Sequence, residues 1–291
     1  MNNVITIKDK NYPKLLKEIG KEAPKQLYYK GQWDESIFEN CLAVVGSRQM
    51  TSYGKRAVEQ IVTEVAAAGI TIVSGFMYGV DAAAHKAVLS VANGRTIAVM
   101  PCGINLIHPE YQQDLYSEIL NNNGLVISEY EGDFAPAFWT YPQRNRIVAG
   151  ISKAVLIIEA GEKSGSLITA NWAKKFKRKI FAVPGPITSE VSKGTLQLLK
   201  EGAGMATSAK DILEYYGFNS VLSSRGSDAS QKVRSFSPLE RQIIEQLQRE
   251  PLEIDILART FGLPVSKLGV TLSMMQLQGL IKQEGNKFYV S

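Results

Sequence analysis

Runs of glycine, serine and arginine follow apolar stretches along this chain, and these runs are where its chemistry is expected. Gly46-Ser47-Arg48 follows the apolar run CLAVV. Ser74-Gly75, then Gly79-Val80-Asp81, follow ITIV, and Pro101-Cys102-Gly103 follows TIAVM. Gly161-Glu162-Lys163-Ser164-Gly165-Ser166 follows AVLIIE, and Pro184-Gly185 follows IFAV. Glycine lets backbone amides come close to an anion, and a helix N-terminus points its positive end at one. Arg48 and Lys163 add fixed charge. One such loop suits one phosphate; several neighbouring loops suit the several phosphates of a nucleic-acid strand. The same small residues would also serve ordinary turns. Tyr141-Pro142-Gln143-Arg144-Asn145-Arg146 adds two guanidinium forks, which match phosphate oxygens. Phe138, Trp139 and Tyr141 could stack bases beside those arginines. The competing reading is a packed tryptophan with surface arginines. The cluster Lys174-Lys175-Phe176-Lys177-Arg178-Lys179 ends a helical pattern, so it reads either as dipole compensation or as a phosphate-steering patch.

Catalytic and cofactor signatures are thin. No GxGxxG with an acidic residue about twenty positions on is present, and no GxxxxGK[ST], so neither a dinucleotide cofactor nor Walker-type ATP hydrolysis is expected. The histidines are His85 and His108, and the cysteines Cys41 and Cys102. Asp81 and His85, one helical turn apart, could share a ligand or proton, but two ligands do not make a metal site. Glu129 and Glu159 end apolar runs and could act as general bases. No Ser-His-Asp set accompanies them. We therefore expect no catalytic residue, no metal and no cofactor.

The elements that would position these loops alternate. Strands are expected at 41–46, 70–74, 96–100, 125–128, 154–159 and 180–183. Helices are expected at 51–68, 79–90, 109–120, 144–149 and 167–177. Continuous Val/Ile/Leu strands bounded by helices indicate a sheet covered on both faces. Right-handed crossovers then give an α/β, doubly wound, mostly parallel sheet. In such sheets ligands bind beyond the carboxyl ends of the strands, where the loops above fall.

The chain has 291 residues and a formal net charge of +5, an ordinary globular composition that permits a polyanionic partner without requiring one. Two cysteines suit a reducing compartment, and no apolar run approaches the roughly 18 residues needed to cross a bilayer. A cytoplasmic protein without a membrane partner is expected. Three parts are expected: a domain at 1–218, a serine-rich linker at 219–235, and a small domain at 236–291. In the last, Ser237-Pro238-Leu239-Glu240 has the form of a helix N-terminus. Helical patterns at 239–249, 254–260 and 265–278 precede a hairpin turning at Gly285-Asn286, which is the winged-helix plan. From Phe236 onward six basic residues meet six acidic ones, so the whole +5 lies upstream. That neutrality speaks against strong reading of duplex DNA.

In order and spacing, several stretches resemble the DprA/Smf family (DNA-processing protein A). These are Val45-Gly46-Ser47-Arg48, Ser74-Gly75 with Gly79-Val80-Asp81, Ser128-Glu129, Tyr141 to Ile147, Ser164-Gly165-Ser166-Leu167-Ile168-Thr169-Ala170, and Ala182-Val183-Pro184-Gly185. The resemblance implies a Rossmann-like domain that binds single-stranded DNA without strong sequence preference. It also implies a homodimer that hands strands to a RecA-type recombinase during natural transformation. By the same resemblance, Arg48 is the strand-binding arginine, and Gly46, Ser47, Ser74, Gly75, Gly79, Ser164, Gly165 and Ser166 belong to phosphate-pocket loops. Arg144, Asn145 and Arg146 form the family's arginine motif. Phe138 stands where some relatives carry a lysine, with Lys163 or the lysine run as substitutes. The chain starts almost at the sheet's N-terminal extension, where many relatives first carry a small helical domain, which fits either a short member or a piece of a longer parent. The competing class is a nucleotide phosphoribohydrolase of the lysine-decarboxylase-like group, acting through Glu159 or Glu129. Its PGGxGT run is not supplied by EKSGSLIT.

Overall fold

The computed structural model of the protein describes residues 3–218 and 237–290. They belong to two compact units that divide between residues 224 and 225. The stretch 219–235, read above as a linker, lies outside the described residues.

The first unit runs β1 (Asn3–Thr6), α1 (Lys14–Lys17), β2 (Gln26–Lys30), β3 (Cys41–Val45), α2 (Ser52–Ala67), β4 (Thr71–Ser74), α3 (Val80–Leu89) and β5 (Thr96–Gly103). It continues α4 (Gln113–Asn121), β6 (Leu125–Tyr130), α5 (Thr140–Ile151), β7 (Ala154–Ile157), α6 (Gly165–Lys175), β8 (Lys179–Ala182), α7 (Lys193–Lys200), β9 (Gly204–Met205) and α8 (Ala209–Tyr215). The strands form one sheet in the order β1-β2-β6-β5-β4-β3-β7-β8-β9. From β6 to β9 every pairing is parallel, while β1–β2 and β2–β6 are antiparallel.

Alternation within β3 shows why both faces are covered. Cys41, Ala43 and Val45 pack with residues of α5 and α6, whereas Leu42 and Val44 pack with α2 and α3. Burying Leu42, Val44 or Val45 contributes about 1.5–3 kcal/mol each. A third cluster places α4 over β5 and β6 through Met100, Leu115 and Ile119. The chain winds outward from β3 to β6, then returns to start β7 on the other side of β3. The carboxyl ends of β3 and β7 therefore flank the point where the winding reverses.

Two expectations change, and one segment holds elements that the sequence pattern did not indicate. β5 continues three residues past Met100, so Pro101-Cys102-Gly103 belongs to an irregular strand end and not to a rim loop; the Gly103 amide donates to the Phe134 carbonyl at 2.8 Å. α5 starts at Thr140, four residues before the expected helix, because Pro142 fits a first turn that needs no amide donor. The N-terminal β1–α1–β2 segment has no clear apolar period, yet it closes on itself where the Tyr12 hydroxyl donates to Pro24 O at 2.7 Å.

The second unit contains α9 (Pro238–Arg249), β10 (Leu252–Glu253), α10 (Ile254–Phe261), α11 (Val265–Leu277), β11 (Ile281–Glu284) and β12 (Lys287–Val290). Its start is the expected capping box: Ser237 Oγ accepts the Glu240 amide at 3.2 Å, and the Glu240 carboxylate accepts the Ser237 amide at 2.8 Å. Three helices surround Ile243, Leu247, Leu257, Leu268, Leu272 and Met275, and the β11–β12 hairpin closes the core with Ile281 and Phe288. β10 adds a short third strand beside β12, which the sequence pattern did not reveal.

Candidate nucleic-acid interface

A crevice of about 690 Å³ opens where the winding of the sheet reverses. Gly46, Ser47 and Arg48 form one wall, leaving the end of β3. Lys163, Ser164, Gly165 and Ser166 form the opposite wall, between β7 and α6. Gly75 comes from the β4–α3 connection, Asp81 from the first turn of α3, and Tyr141, Arg144 and Asn145 from α5. Ten of the expected site residues therefore share this crevice.

Local chemistry makes both walls receptive to anions. The Ser47 amide already donates to the Glu159 carbonyl at 2.8 Å, and its hydroxyl oxygen accepts the Gln49 amide at 3.0 Å. Its remaining resource is the hydroxyl proton. Ser164 caps α6, its Oγ accepting the Ser166 amide at 3.3 Å and lying 2.7 Å from Ser166 Oγ. A Cβ at Gly165 would meet nothing within 4 Å, so space lies open beside the positive end of α6. Arg48 is exposed, and its guanidinium lies 5.6 Å from the Tyr78 ring centroid and 5.3 Å from that of Tyr141. Held over two aromatic faces, it is already partly ordered before any ligand arrives. The Tyr141 hydroxyl in turn lies 2.8 Å from His108 Nε2. Tyr78 escaped the sequence reading; its place between Gly75 and Gly79, beside an arginine loop, was the available signal.

Four expected residues do not face the crevice, and a fifth faces it in another role. Arg144 is only 3% exposed, and its guanidinium donates to the carbonyls of Gly75 and Val99, with Nε to Asn145 Oδ1 at 3.1 Å. It fastens α5 to the ends of β4 and β5, so the expected phosphate fork is already occupied. Burial pushes its ionisation down to about 10, with the buried Asp81 carboxylate opposing that shift. Arg146 points to the other side of α5, pairing with Glu129 at 2.5 Å and donating to Gln143 O at 3.0 Å. Ser74 is fully buried and its hydroxyl donates to Val44 O at 2.6 Å. Gly79 acts through its backbone: its φ is +78°, and a Cβ there would strike the Ser47 carbonyl. Phe138 is 98% exposed and lies outside the crevice lining. Gly75 carries a packing demand of its own, since a Cβ would sit 2.6 Å from an Arg144 guanidinium nitrogen. Asn145 donates to Gly165 O at 3.3 Å and so ties α5 to the N-terminus of α6.

Glu159, His85 and part of the lysine run make structural contacts. Glu159 accepts from the Thr51 amide at 2.9 Å and from its hydroxyl, anchoring the start of α2. His85 is wholly buried with Nδ1 2.7 Å from Thr96 Oγ1, and burial pushes it down to about 3. In the lysine run, Lys174 pairs with Glu201, Lys175 with Glu22 at 2.7 Å, and Arg178 with Glu18 at 3.3 Å. These contacts bind the end of α6 to α7 and to the N-terminal segment. The Pro184 carbonyl accepts from the Tyr53 hydroxyl at 2.5 Å, outside the crevice. Among the described residues no three metal-ligating side chains gather, and no helix is long and apolar enough to cross a membrane.

These features define a Rossmann-like α/β protein with a small-residue, arginine-bearing crevice at its switch point, followed by a winged-helix unit. The profile of the family described as DNA recombination-mediator protein A matches residues 3–217, and that of the DprA winged helix domain matches residues 227–287. The chain belongs to the DNA recombination-mediator protein A (DprA/Smf) family. Protein Smf of Escherichia coli is 36% identical over 264 residues, spanning 89% of this chain and 69% of that protein. The crystal structure of DNA processing protein A from Streptococcus pneumoniae is similar with a TM-score of 0.68 at 38% identity, covering 73% of this chain and 74% of that one. DNA processing protein A from Helicobacter pylori, solved for its single-stranded DNA binding mode, gives 0.66 at 31% identity over 75% and 96%.

Proposed function

We propose that the protein binds single-stranded DNA with little sequence preference, cradling the sugar-phosphate backbone in the switch-point crevice. The arrangement that carries this reading is Arg48, ordered over Tyr78 and Tyr141, opposite the open N-terminus of α6. The strand's phosphates meet the Arg48 guanidinium, the hydroxyls of Ser47, Ser164 and Ser166, the Gly165 amide at the start of α6, and Lys163 at the exposed lip. Bases are left to stack on aromatic rings, which every base can do, so recognition is independent of sequence. Membership of a recombination-mediator family supports the further step, in which a homodimer passes the bound strand to a RecA-type recombinase during transformation. The role is one of binding and transfer without catalysis. Both carboxylates that a phosphoribohydrolase reading would use as bases are held by structural partners, Glu129 by Arg146 and Glu159 by Thr51.

Anisotropy titrations with labelled oligo-dT and with duplex DNA, alongside an assay for adenine release from AMP, test this reading. Tight oligo-dT binding that weakens with salt, weaker duplex binding and no adenine release are expected. Adenine release, or a preference for duplex, would overturn it. Recombinase filament growth on oligo-dT should be faster with the protein than without it, and no acceleration would remove the transfer step.

A further inference from the structure

A second groove, of about 460 Å³, lies directly beside the crevice, between α5 and α6. Pro142 and Ile168 line both, so they form a common sill. Beyond the sill the walls change character. Trp139, which is 53% exposed, stands on one side and Trp172 on the other. The Trp172 ring is backed by Phe176, with centroids 5.4 Å apart and planes 22° from parallel, and Lys175 Nζ lies 4.6 Å from its centroid. Lys175 is also anchored by Glu22. Trp172 is thus held by Phe176 and Lys175, and its half-buried indole is a fixed part of the groove wall. A strand whose phosphates cross the crevice toward α6 must leave it somewhere. The route over the sill offers further aromatic rings to the bases.

We propose that this groove is a base-stacking extension of the strand path, in which Trp139 and Trp172 take bases of the nucleotides next to those held by Arg48. The inference rests on the crevice being the strand site. Continuity across Pro142 and Ile168 selects the same strand as occupant. The two walls divide the work: the crevice has hydroxyls, a guanidinium and a helix N-terminus, all suited to phosphate, whereas the groove has indole rings and a lysine, suited to bases with one neighbouring phosphate.

The test compares wild type, Trp172→Ala, Trp172→Phe, Trp139→Ala and Arg48→Ala for binding to oligo-dT and to an abasic deoxyribose-phosphate oligomer of equal length. Each Trp→Ala change is expected to weaken oligo-dT binding about fivefold or more, corresponding to about 1 kcal/mol. It should leave abasic binding within twofold, and Trp172→Phe should recover most of the loss. Arg48→Ala should weaken both oligomers alike. If Arg48→Ala weakens binding but the Trp→Ala variants match wild type on oligo-dT, the groove is not on the path and this inference falls while the crevice stands. Equal losses on both oligomers would also overturn it, because stacking needs bases. An unchanged Arg48→Ala variant would instead sink the crevice reading itself. If Trp139→Ala, at an exposed position, alters sedimentation and leaves DNA affinity intact, the groove is a protein contact and the inference is wrong.

Discussion

Replacing Arg48 by Ala removes, among the described residues, the guanidinium of the crevice lining that is not committed to carbonyls of the fold. Arg144 is committed to the Gly75 and Val99 carbonyls, and Arg146 to Glu129. A hydrogen bond to a charged group contributes about 1.5–3 kcal/mol. Lys163, the serine hydroxyls and α6 still hold the strand, so the lower end applies: a loss of at least tenfold in affinity, about 1.4 kcal/mol. The salt dependence should also flatten, since each lost phosphate contact lowers the slope of log affinity against log salt by about 0.7 for single strands. Arg48 is exposed in the free protein, so no buried partner is stranded. Its stacking over Tyr78 and Tyr141 limits the fold's loss to roughly 1 kcal/mol. Anisotropy with labelled oligo-dT at several salt concentrations, beside a thermal melt, measures all three quantities. Arg48→Lys should fall between wild type and alanine, because the charge remains while the flat stack is lost. Equal affinity and equal salt slope for Arg48→Ala and wild type would refute the assignment of the strand to this crevice.

Arg144→Leu should behave in the opposite way, mainly as a folding defect. It strands two carbonyls and the buried Asp81, at a cost of about 3 kcal/mol or more, and should lower the melting temperature by roughly 6–12 °C in differential scanning fluorimetry. A melt within 2 °C or so of wild type would disprove the fastening role. Gly79→Ala places a side chain at φ +78° against the Ser47 carbonyl and should cost at least about 1–2 kcal/mol in chemical denaturation, against little change for Gly165→Ala, where space is open. His85 is pushed down to about 3 by burial, so between that value and the ordinary 6.5 the unfolded chain holds the proton and the folded one does not. Its contribution is fully retained above pH 6.5 and is lost as pH falls, amounting to roughly 2 kcal/mol by pH 5. Melts at pH 7.5 and 5 should show a steeper drop for wild type than for His85→Leu, and equal drops would clear His85 of the effect.

The sheet was legible because its strands are apolar on both faces and separated by helix-length segments. Placing the rim loops required only the rule that ligands gather at strand carboxyl ends. Strand order was hidden, since nothing in the residues after β6 says that β7 returns beside β3. The arginine motif was misread for a related reason: sequence shows charge but not direction. Arg144 finds its carbonyl partners 69 and 45 residues away, on strands whose order had to be known first. Glu129 and Glu159 looked like free bases at strand ends until their partners, Arg146 and Thr51, came into view. The lysine run looked like a patch because its acids, Glu18, Glu22 and Glu201, lie far off in the chain. In the second unit the hairpin and cap were readable from local residues, whereas the two-residue β10 exists through its pairing with β12 alone.

The two margins of the large sheet are both stunted. One ends in the four residues of β1, turned antiparallel to the rest, and the other in the two residues of β9. Neither presents a run of unpaired backbone long enough to template another strand. Copies of this unit that meet must therefore recognise each other through side chains on helices and loops. Such a contact can be tuned or abolished by single substitutions.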